Sequence, residues 1–481
     1  MIHGLAATLR RVAFSVVGLL ANFAAAATAP AQPNVVILLS DDLGWADLGC
    51  YGSTFHETPH LDQLAREGMR FTNYYTAGSI CSPTRASLMT GKYPVRTGIT
   101  DYIPGLKDPP NARVVTTPTK KVLATSEFTF ARAFKAAGYR TFYTGKWHLG
   151  PSDGGLKAYG WDDYVGDVGG DQEGEAAPAK KGNRAENLKH RRDSTARFTQ
   201  ATLDFLQQHG RAQPFVLMLS YHDVHTPIQP MPGVVERFMD KRKKLGADLP
   251  AIAEHDGLTR PRQDNAEYAS MVTAVDDSVA RVRQKLAELG LAENTIVIFA
   301  SDNGGLATHK NPGPTNNSPL RSGKGWLYEG GIRAPFIVYA PGVTRAGTRT
   351  EVPAISTDLY PTLLALAHLP PRPEQHLDGL SLAPLLGGGA APLRDTLYWH
   401  YPHYHGSTWA PGAALRDGDW KLIEFYHYRN VELYNLRTDP SETRDLTAAN
   451  PAKTTELLAK LHAWQQATGA IMPRPNPALT P

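Results

Sequence analysis

Four short apolar runs, each broken off by a polar cluster, constrain the fold of this chain more than any other feature. "NVVILL" (34–39) runs into Ser40, Asp41 and Asp42, and "YRTFYTG" (139–145) into Lys146, Trp147 and His148. "FVLMLSY" (215–221) runs into His222, Asp223 and His225, and "TIVIFA" (295–300) into Ser301, Asp302 and Asn303. Runs of this length without alternation fit strands covered on both faces, as in a mostly parallel sheet. Helical segments lie between them. "TFARAFKAAG" (129–138) closes on Gly138, a residue suited to ending a helix, and within 266–290 Met271, Val275, Val279, Val282 and Leu286 recur at helical spacing as a core stripe. This alternation predicts an α/β fold, a mostly parallel sheet flanked by helices.

From about Asp395 the texture changes. "TLYWHY", "AALRDGDWKLIEFY" and "VELYNL" read as antiparallel strands with a hairpin turn at "DGD" (417–419), followed by a helix over 451–466. The expected organisation is a main domain over 33–390 and a smaller C-terminal antiparallel α+β domain over 395–481. Residues 150–195 and the Pro-rich 103–119 are expected to be exposed excursions.

The N-terminus reads as an export signal over 1–26: Arg10 and Arg11, an apolar run from Val12 to Leu20, then "ANFAAAATAPAQ", with cleavage near Ala26. The mature chain is therefore expected in the periplasm or secreted, with no stable membrane insertion after cleavage. A net charge of +4 in 481 residues is too weak to mark a nucleic-acid binder. Of two cysteines, Cys50 and Cys81, neither is expected in a disulfide.

In open α/β sheets, ligands bind beyond the carboxyl ends of the strands, where all four polar clusters fall. Asp41, Asp42, Asp302 and Asn303 offer only oxygen ligands, which favours Ca²⁺ or Mg²⁺ over zinc. The competing use of Asp41 and Asp42 is to cap the next helix. Cys81 precedes "SPTRASLMTG", where Pro83 suits a first helical turn, and a helix N-terminus with Arg85 close by welcomes an anion. Three readings of Cys81 stand: a thiolate of lowered pKa, a buried inert residue, or a modified cysteine. A thiolate is a poor partner for a hard cation. Lys146, His148, His225 and Lys324 complete a cationic lining suited to a sulfate or phosphate ester.

At these residues the chain resembles the formylglycine-dependent sulfatases. "CSPTR" (81–85) matches their C-x-P-x-R signature, and "ASLMTGKYPVRTG", "NVVILLSDDLGWADLGCYG", "GKWHLG", "SDNGG" and "GKGWLYEGGIRAP" look like their other blocks, in the same order. The resemblance spans about 33–465 and implies an alkaline-phosphatase-like fold. It implies that Cys81 is oxidised to formylglycine by a formylglycine-generating enzyme and hydrated to a diol. It further implies one Ca²⁺ held by Asp41, Asp42, Asp302, Asn303 and modified Cys81. One diol oxygen would attack sulfur while Arg85, Lys146 and Lys324 offset sulfate charge. His225 would donate a proton to the leaving alcohol beside Lys324, and His148 would take the proton that releases sulfate. Where some relatives carry a sulfate-contacting serine, this chain has Asp167, Gly169, Gly170 and Asp171.

The implied substrate is a sulfated small molecule or glycan, contacted by Lys146, His225 and Lys324. In "YWHYPHYHGSTWAPG" (398–412), His400, His403, Tyr404, His405 and Trp409 suit either a sugar platform, with His403 as the contact, or a packed seam. The basic stretches 180–192 (including Lys180, Lys181, Arg191 and Arg192) and 241–244 are either solvated surface or a polysaccharide track. Two further functions stay open: a phosphonate or phosphate monoester hydrolase with the same nucleophile, and an inactive binder of sulfated glycans.

Overall fold

The four apolar runs all become strands of one eight-stranded sheet in the computed structural model, which describes residues 32–167, 194–392 and 394–479. The export segment, the basic stretch 180–192 and Gly169, Gly170 and Asp171 lie outside the described residues. In chain order the strands are β1 (Asn34–Ser40), β2 (Met69–Phe71), β3 (Arg140–Lys146), β4 (Asp163–Asp167), β5 (Phe215–Ser220), β6 (Thr295–Ser301), β7 (Phe336–Tyr339) and β8 (Thr348–Thr350). They lie in the order β8-β2-β7-β6-β1-β5-β3-β4. Central β1 runs parallel to β6, with Asn34 opposite Thr295, and to β5, with Val35 opposite Val216. Strand β3 is parallel to both β5 and β4. Strand β7 runs against β6 and β2, so the sheet is mixed toward that edge.

Both faces of the sheet are covered, which is why the runs do not alternate. Val35, Ile37 and Leu39 pack with α2 (Cys81–Thr90), the helix Phe130–Ala136 and the helix Leu359–Leu366. Val36 and Leu38 pack on the other side with α1 (Pro59–Glu67), the helix Ser194–His209 and the helix Ala266–Glu288. Each fully buried aliphatic side chain there contributes about 1.5–3 kcal/mol. The stripe Met271, Val275, Val279, Val282 and Leu286 lies wholly in this second cluster. Asn265 starts its helix by accepting hydrogen bonds from the Glu267 and Tyr268 amides. Gly138, at φ +86°, follows the end of the helix Phe130–Ala136.

The strands Thr396–Tyr401, Gly412–Asp417, Trp420–Phe425 and Asn430–Asn435 form an antiparallel meander, and its hairpin turns at Gly418–Asp419. The helix Pro451–Thr468 lays Leu457 and Leu461 on one face, against Ala413, Leu415, Leu422 and Leu433. The other face presents Trp399, Ile423 and Phe425 to Tyr75, Trp326 and Tyr328 of the main sheet's loops. Lys421, fully buried here, is held by Glu329 (2.9 Å) and Glu442 (2.7 Å).

The aromatic stretch takes the second of its two readings, and one expectation, for 103–119, changes. Trp409 is 1% exposed, stacked on Tyr401 and edge-on to Trp326, and His400 is buried with Nε2 against the Ile471 carbonyl. These residues build the seam rather than a sugar platform, because the meander must bury its apolar face. The segment 103–119 is also not a free excursion. Ile103, Ala112 and Val114 are buried, and Val114–Val115 pairs with Arg474–Pro475 of the C-terminal tail. The basic run 241–244 ends an exposed helix on which Lys241, Arg242 and Lys243 each meet a carboxylate, as a solvated surface does.

Candidate active site

Because β1, β3, β5 and β6 are parallel neighbours, their four polar ends converge at one edge of the sheet. Asp41 and Asp42 leave β1, Lys146 ends β3 and His148 follows it, His225 lies five residues past β5, and Asp302 and Asn303 leave β6. Backbone bonds tie the ends together: Asp302 N to Ser40 O (3.2 Å), Asp41 N to Asp223 O (3.1 Å) and Val224 N to Asp41 O (2.7 Å). Asp42 and His148 hold φ at +62° and +55°. Such left-handed residues cluster at sites where the surrounding structure must over-determine them. Neither Asp41 nor Asp42 caps a helix.

Cys81 is the first residue of α2, fully buried, with its thiol 3.3 Å from Asp41 Oδ1 and 3.7 Å from Lys146 Nζ. Asp41, Asp42, Cys81 and Asp302 bring ligand atoms within 4.8 Å of one another. Asn303 Nδ2 donates to Asp42 Oδ1 (2.8 Å), whereas its Oδ1 is buried and accepts no hydrogen bond among the described residues. Three carboxylates thus face three fixed cations. Lys146 Nζ sits on Asp41 Oδ2 (2.8 Å), Lys324 Nζ on Asp42 Oδ2 (2.8 Å), and Arg85 forks onto Asp302 Oδ2 through Nε (2.9 Å) and Nη2 (2.7 Å).

Arg85 has little left to offer a ligand. Its Nη1 donates to the Lys146 carbonyl (2.8 Å) and to Ser220 Oγ (2.6 Å), so these bonds take up four of its five N–H donors. Its contribution is to brace Asp302. Lys146 is aimed from β3 by Gly145, whose φ is +103° and where an added Cβ would lie 1.7 Å from the Ser220 carbonyl.

Protonation follows from burial and neighbours. Burial raises the Asp41 carboxyl, but Lys146, His225, Arg85 and Lys324 overcome this and hold it well below the usual range. Burial and the Asp41 carboxylate push Asp302 up to about 7. Burial, then Asp41, push the Cys81 thiol up, which overturns the reading of a low-pKa thiolate: the helix N-terminus does not outweigh an adjacent carboxylate in a dry site. Burial and Lys324 lower His225 to about 4, so its ring is neutral at pH 7 in the substrate-free protein, while Lys324 is raised by its carboxylate neighbours and holds its proton. His225 Nδ1 meets the Thr226 carbonyl at 2.6 Å and Nε2 lies 3.7 Å from Asp42 Oδ2.

His403 is buried, which lowers its pKa to about 3, and bonds Thr100 Oγ1 through Nε2 (2.9 Å), away from the carboxylates and lysines of the site. The histidine that shares the site's field is His405. Burial and Lys324 lower it to about 3, with Asp42 and His225 also acting on it. Its Nδ1 would lie 2.3 Å from a Cβ placed on Gly325, next to Lys324. Its signal, a histidine in the same aromatic cluster, is visible in the sequence, but its approach to the site is not. Asp167 ends β4 at the same edge.

The sequence model of the sulfatase family matches residues 33–369, and that of the C-terminal part of N-sulphoglucosamine sulphohydrolase matches 322–468. The chain is 33% identical to N-acetylgalactosamine-6-sulfatase of Homo sapiens over 495 residues, which spans 93% of this chain and 88% of that one. It is 32% identical to a sulfatase of Formosa agariphila over 515 residues, spanning 90% and 88%. Among solved structures, Ps i-CgsB in complex with k-i-k-neocarrahexaose superposes with a TM-score of 0.72 at 28% identity, covering 90% of this chain and 92% of that one. With the fold, the converging strand ends and these matches in agreement, the chain belongs to the sulfatase family.

Proposed function

We propose that this sulfatase hydrolyses an O-sulfate ester on a carbohydrate, with residue 81 as formylglycine and one Ca²⁺ per chain. The observation that carries the chemistry is the buried oxygen set around residue 81, matched by the Lys146 and Lys324 ammonium groups. Two features fit a cation there: Asn303 Oδ1 is buried without a hydrogen-bond partner among the described residues, and burial with Asp41 raises Asp302. A hard divalent ion on Asp41, Asp42, Asp302 and Asn303 would supply positive charge to the sulfate oxygens. Formylglycine hydrate would place oxygen rather than a neutral thiol beside that ion. It would also carry a second hydroxyl through which sulfate can leave without an attacking water.

The chain's own residues then have distinct work. Lys146 and Lys324 hold sulfate oxygens and the charge that grows on them. Arg85 holds Asp302 in place and offsets part of what burial and Asp41 do to raise it. Lys324 is the group that holds a proton near the leaving oxygen in the resting state, and the neutral His225 ring gains one only as the anionic substrate binds. His148 accepts a proton at the release step. His405, beside Lys324, is placed to meet the substrate's leaving group, whereas His403 is committed to Thr100.

The carbohydrate class is supported by the names of the relatives, one an N-acetylgalactosamine-6-sulfatase and another bound to an oligosaccharide. Export to the periplasm or beyond, and maturation by a formylglycine-generating enzyme, belong to the same proposal and rest on the sequence. Peptide mass spectrometry across Cys81 on protein from its native host tests it: a loss of about 18 Da is expected for formylglycine. Nitrophenyl sulfate, nitrophenyl phosphate and a panel of sulfated sugars should then be turned over with sulfates preferred. An unmodified thiol in every molecule, or preference for phosphate, would overturn the reading.

A further inference from the structure

His148 is held by one backbone unit that also touches the neighbour of the nucleophile position. Its Nε2 lies 2.7 Å from the Ile103 carbonyl, and the Ile103 amide donates to Ser82 Oγ at 3.1 Å. A carbonyl oxygen can only accept, so Nε2 carries the hydrogen and, in the neutral ring, Nδ1 carries the lone pair. Ile103 therefore decides which nitrogen of His148 can take a proton.

What holds Ile103 comes from the other end of the chain. Asp101, 2% exposed, accepts the Tyr102 amide (2.9 Å) and the Tyr401 hydroxyl (3.1 Å) on Oδ1. The Thr100 and Asp101 amides both donate to Thr119 Oγ1 (3.0 and 3.2 Å), and Thr100 Oγ1 meets His403 Nε2. Lys121 Nζ donates to the Pro104 carbonyl. Tyr401 ends the first strand of the C-terminal meander, and His403 follows it. A buried carboxyl is a costly way to fill space, because burial without full compensation disfavours its charged form. Here its oxygen catches the turn and the meander at a single point.

We propose that Asp101 and Tyr401 are positioning residues: they fix the 100–103 turn so that the Ile103 carbonyl holds His148 with Nε2 protonated and Nδ1 as the proton-accepting atom. Neither residue touches the reacting atoms. The proposal rests on the reading of His148 as proton acceptor, and it makes the C-terminal meander part of the proton-transfer machinery rather than only a packed seam.

The test uses ¹⁵N-histidine NMR on the full chain carrying unmodified Cys81, with His148→Gln assigning the signal, alongside kinetics of the mature enzyme on nitrophenyl sulfate. Wild type should show the Nε2–H tautomer at His148. Asp101→Ala and Tyr401→Phe should shift that signal toward tautomer averaging and lower kcat by about 10- to 100-fold, with KM little changed. Asp101→Asn keeps an acceptor oxygen and should restore most of both readouts. An Nδ1–H signal in wild type overturns the proposal. So does an unchanged signal and kcat in folded Tyr401→Phe, which decides the matter if Asp101→Ala fails to fold. Absence of turnover on every sulfate would instead sink the functional reading, and the NMR result would still stand or fall by itself.

Discussion

Arg85→Ala should expose how the site balances its charge. Arg85 is 1% exposed and gives two N–H groups to Asp302 Oδ2 and two more to the Lys146 carbonyl and Ser220 Oγ. Removing it leaves Asp302 buried beside Asp41 and Asp42 with one cation fewer. Breaking such a pair by deleting one partner costs about 3–5 kcal/mol. Two hydrogen bonds to a charged group at about 1.5–3 kcal/mol each lead to the same range. Arg85→Lys keeps the charge but loses the fork, so about half the loss should remain. The assay is denaturant unfolding of the metal-free protein in chelator at pH 8, repeated at pH 6 and with excess Ca²⁺. The loss should be larger at pH 8, because burial and Asp41 raise Asp302 to about 7 and at pH 6 it can neutralise instead. Calcium should recover part of it by supplying the missing charge. A loss under about 1 kcal/mol at pH 8, or full stability in Arg85→Lys, would refute the bracing role.

Chelation with EDTA should abolish sulfatase activity and added Ca²⁺ should restore it; activity that survives exhaustive chelation contradicts the oxygen-ligand site. Cys81→Ala should fold with a stability change of about 1 kcal/mol while losing all turnover, and residual turnover of nitrophenyl sulfate would remove residue 81 from the reaction. Gly145→Ala places a Cβ 1.7 Å from the Ser220 carbonyl at φ +103°, so it should cost more than about 3 kcal/mol and misplace Lys146; a variant as stable as wild type would contradict the β3–β5 register. Burial raises Asp101 from the usual carboxyl range to about 7, so the folded protein holds a proton that the unfolded chain gives up between about pH 4 and 7. The stability this confers is complete below about pH 4 and lost as pH climbs to 7, and Asp101→Asn should flatten that part of the denaturation-midpoint curve.

Legibility in the sequence tracks how local each physical cause is. The central strands are readable because burial on both faces writes an apolar run, and no distant residue is needed to see it. The edges are not: β2 and β8 have three residues each, too few to carry a period, and their place comes from pairing with each other and with β7. Asp41, Asp42, Asp302 and Asn303 can be read as a set for a similar reason, since each follows a strand end and parallel strands align their ends. The direction of Arg85 cannot, because its guanidinium is claimed by Ser220 and the Lys146 carbonyl from two other strands. His403 and His405 differ by two positions in one polar, aromatic stretch. Which one enters the field of Lys324 depends on a turn that closes through His405 N to Trp409 O and Thr408 N to His405 O, with Thr408 at φ +71°. Protonation is least legible of all. The sequence shows that position 225 is a histidine, but its neutrality at pH 7 sums burial with charges from Lys324, Asp42, Asp41 and Lys146, residues 79 to 184 positions away. A motif can therefore name the residue types a reaction needs. Which of them holds the proton depends on charges and burial that only the folded chain brings together, as they do in lowering His225 and raising Lys324.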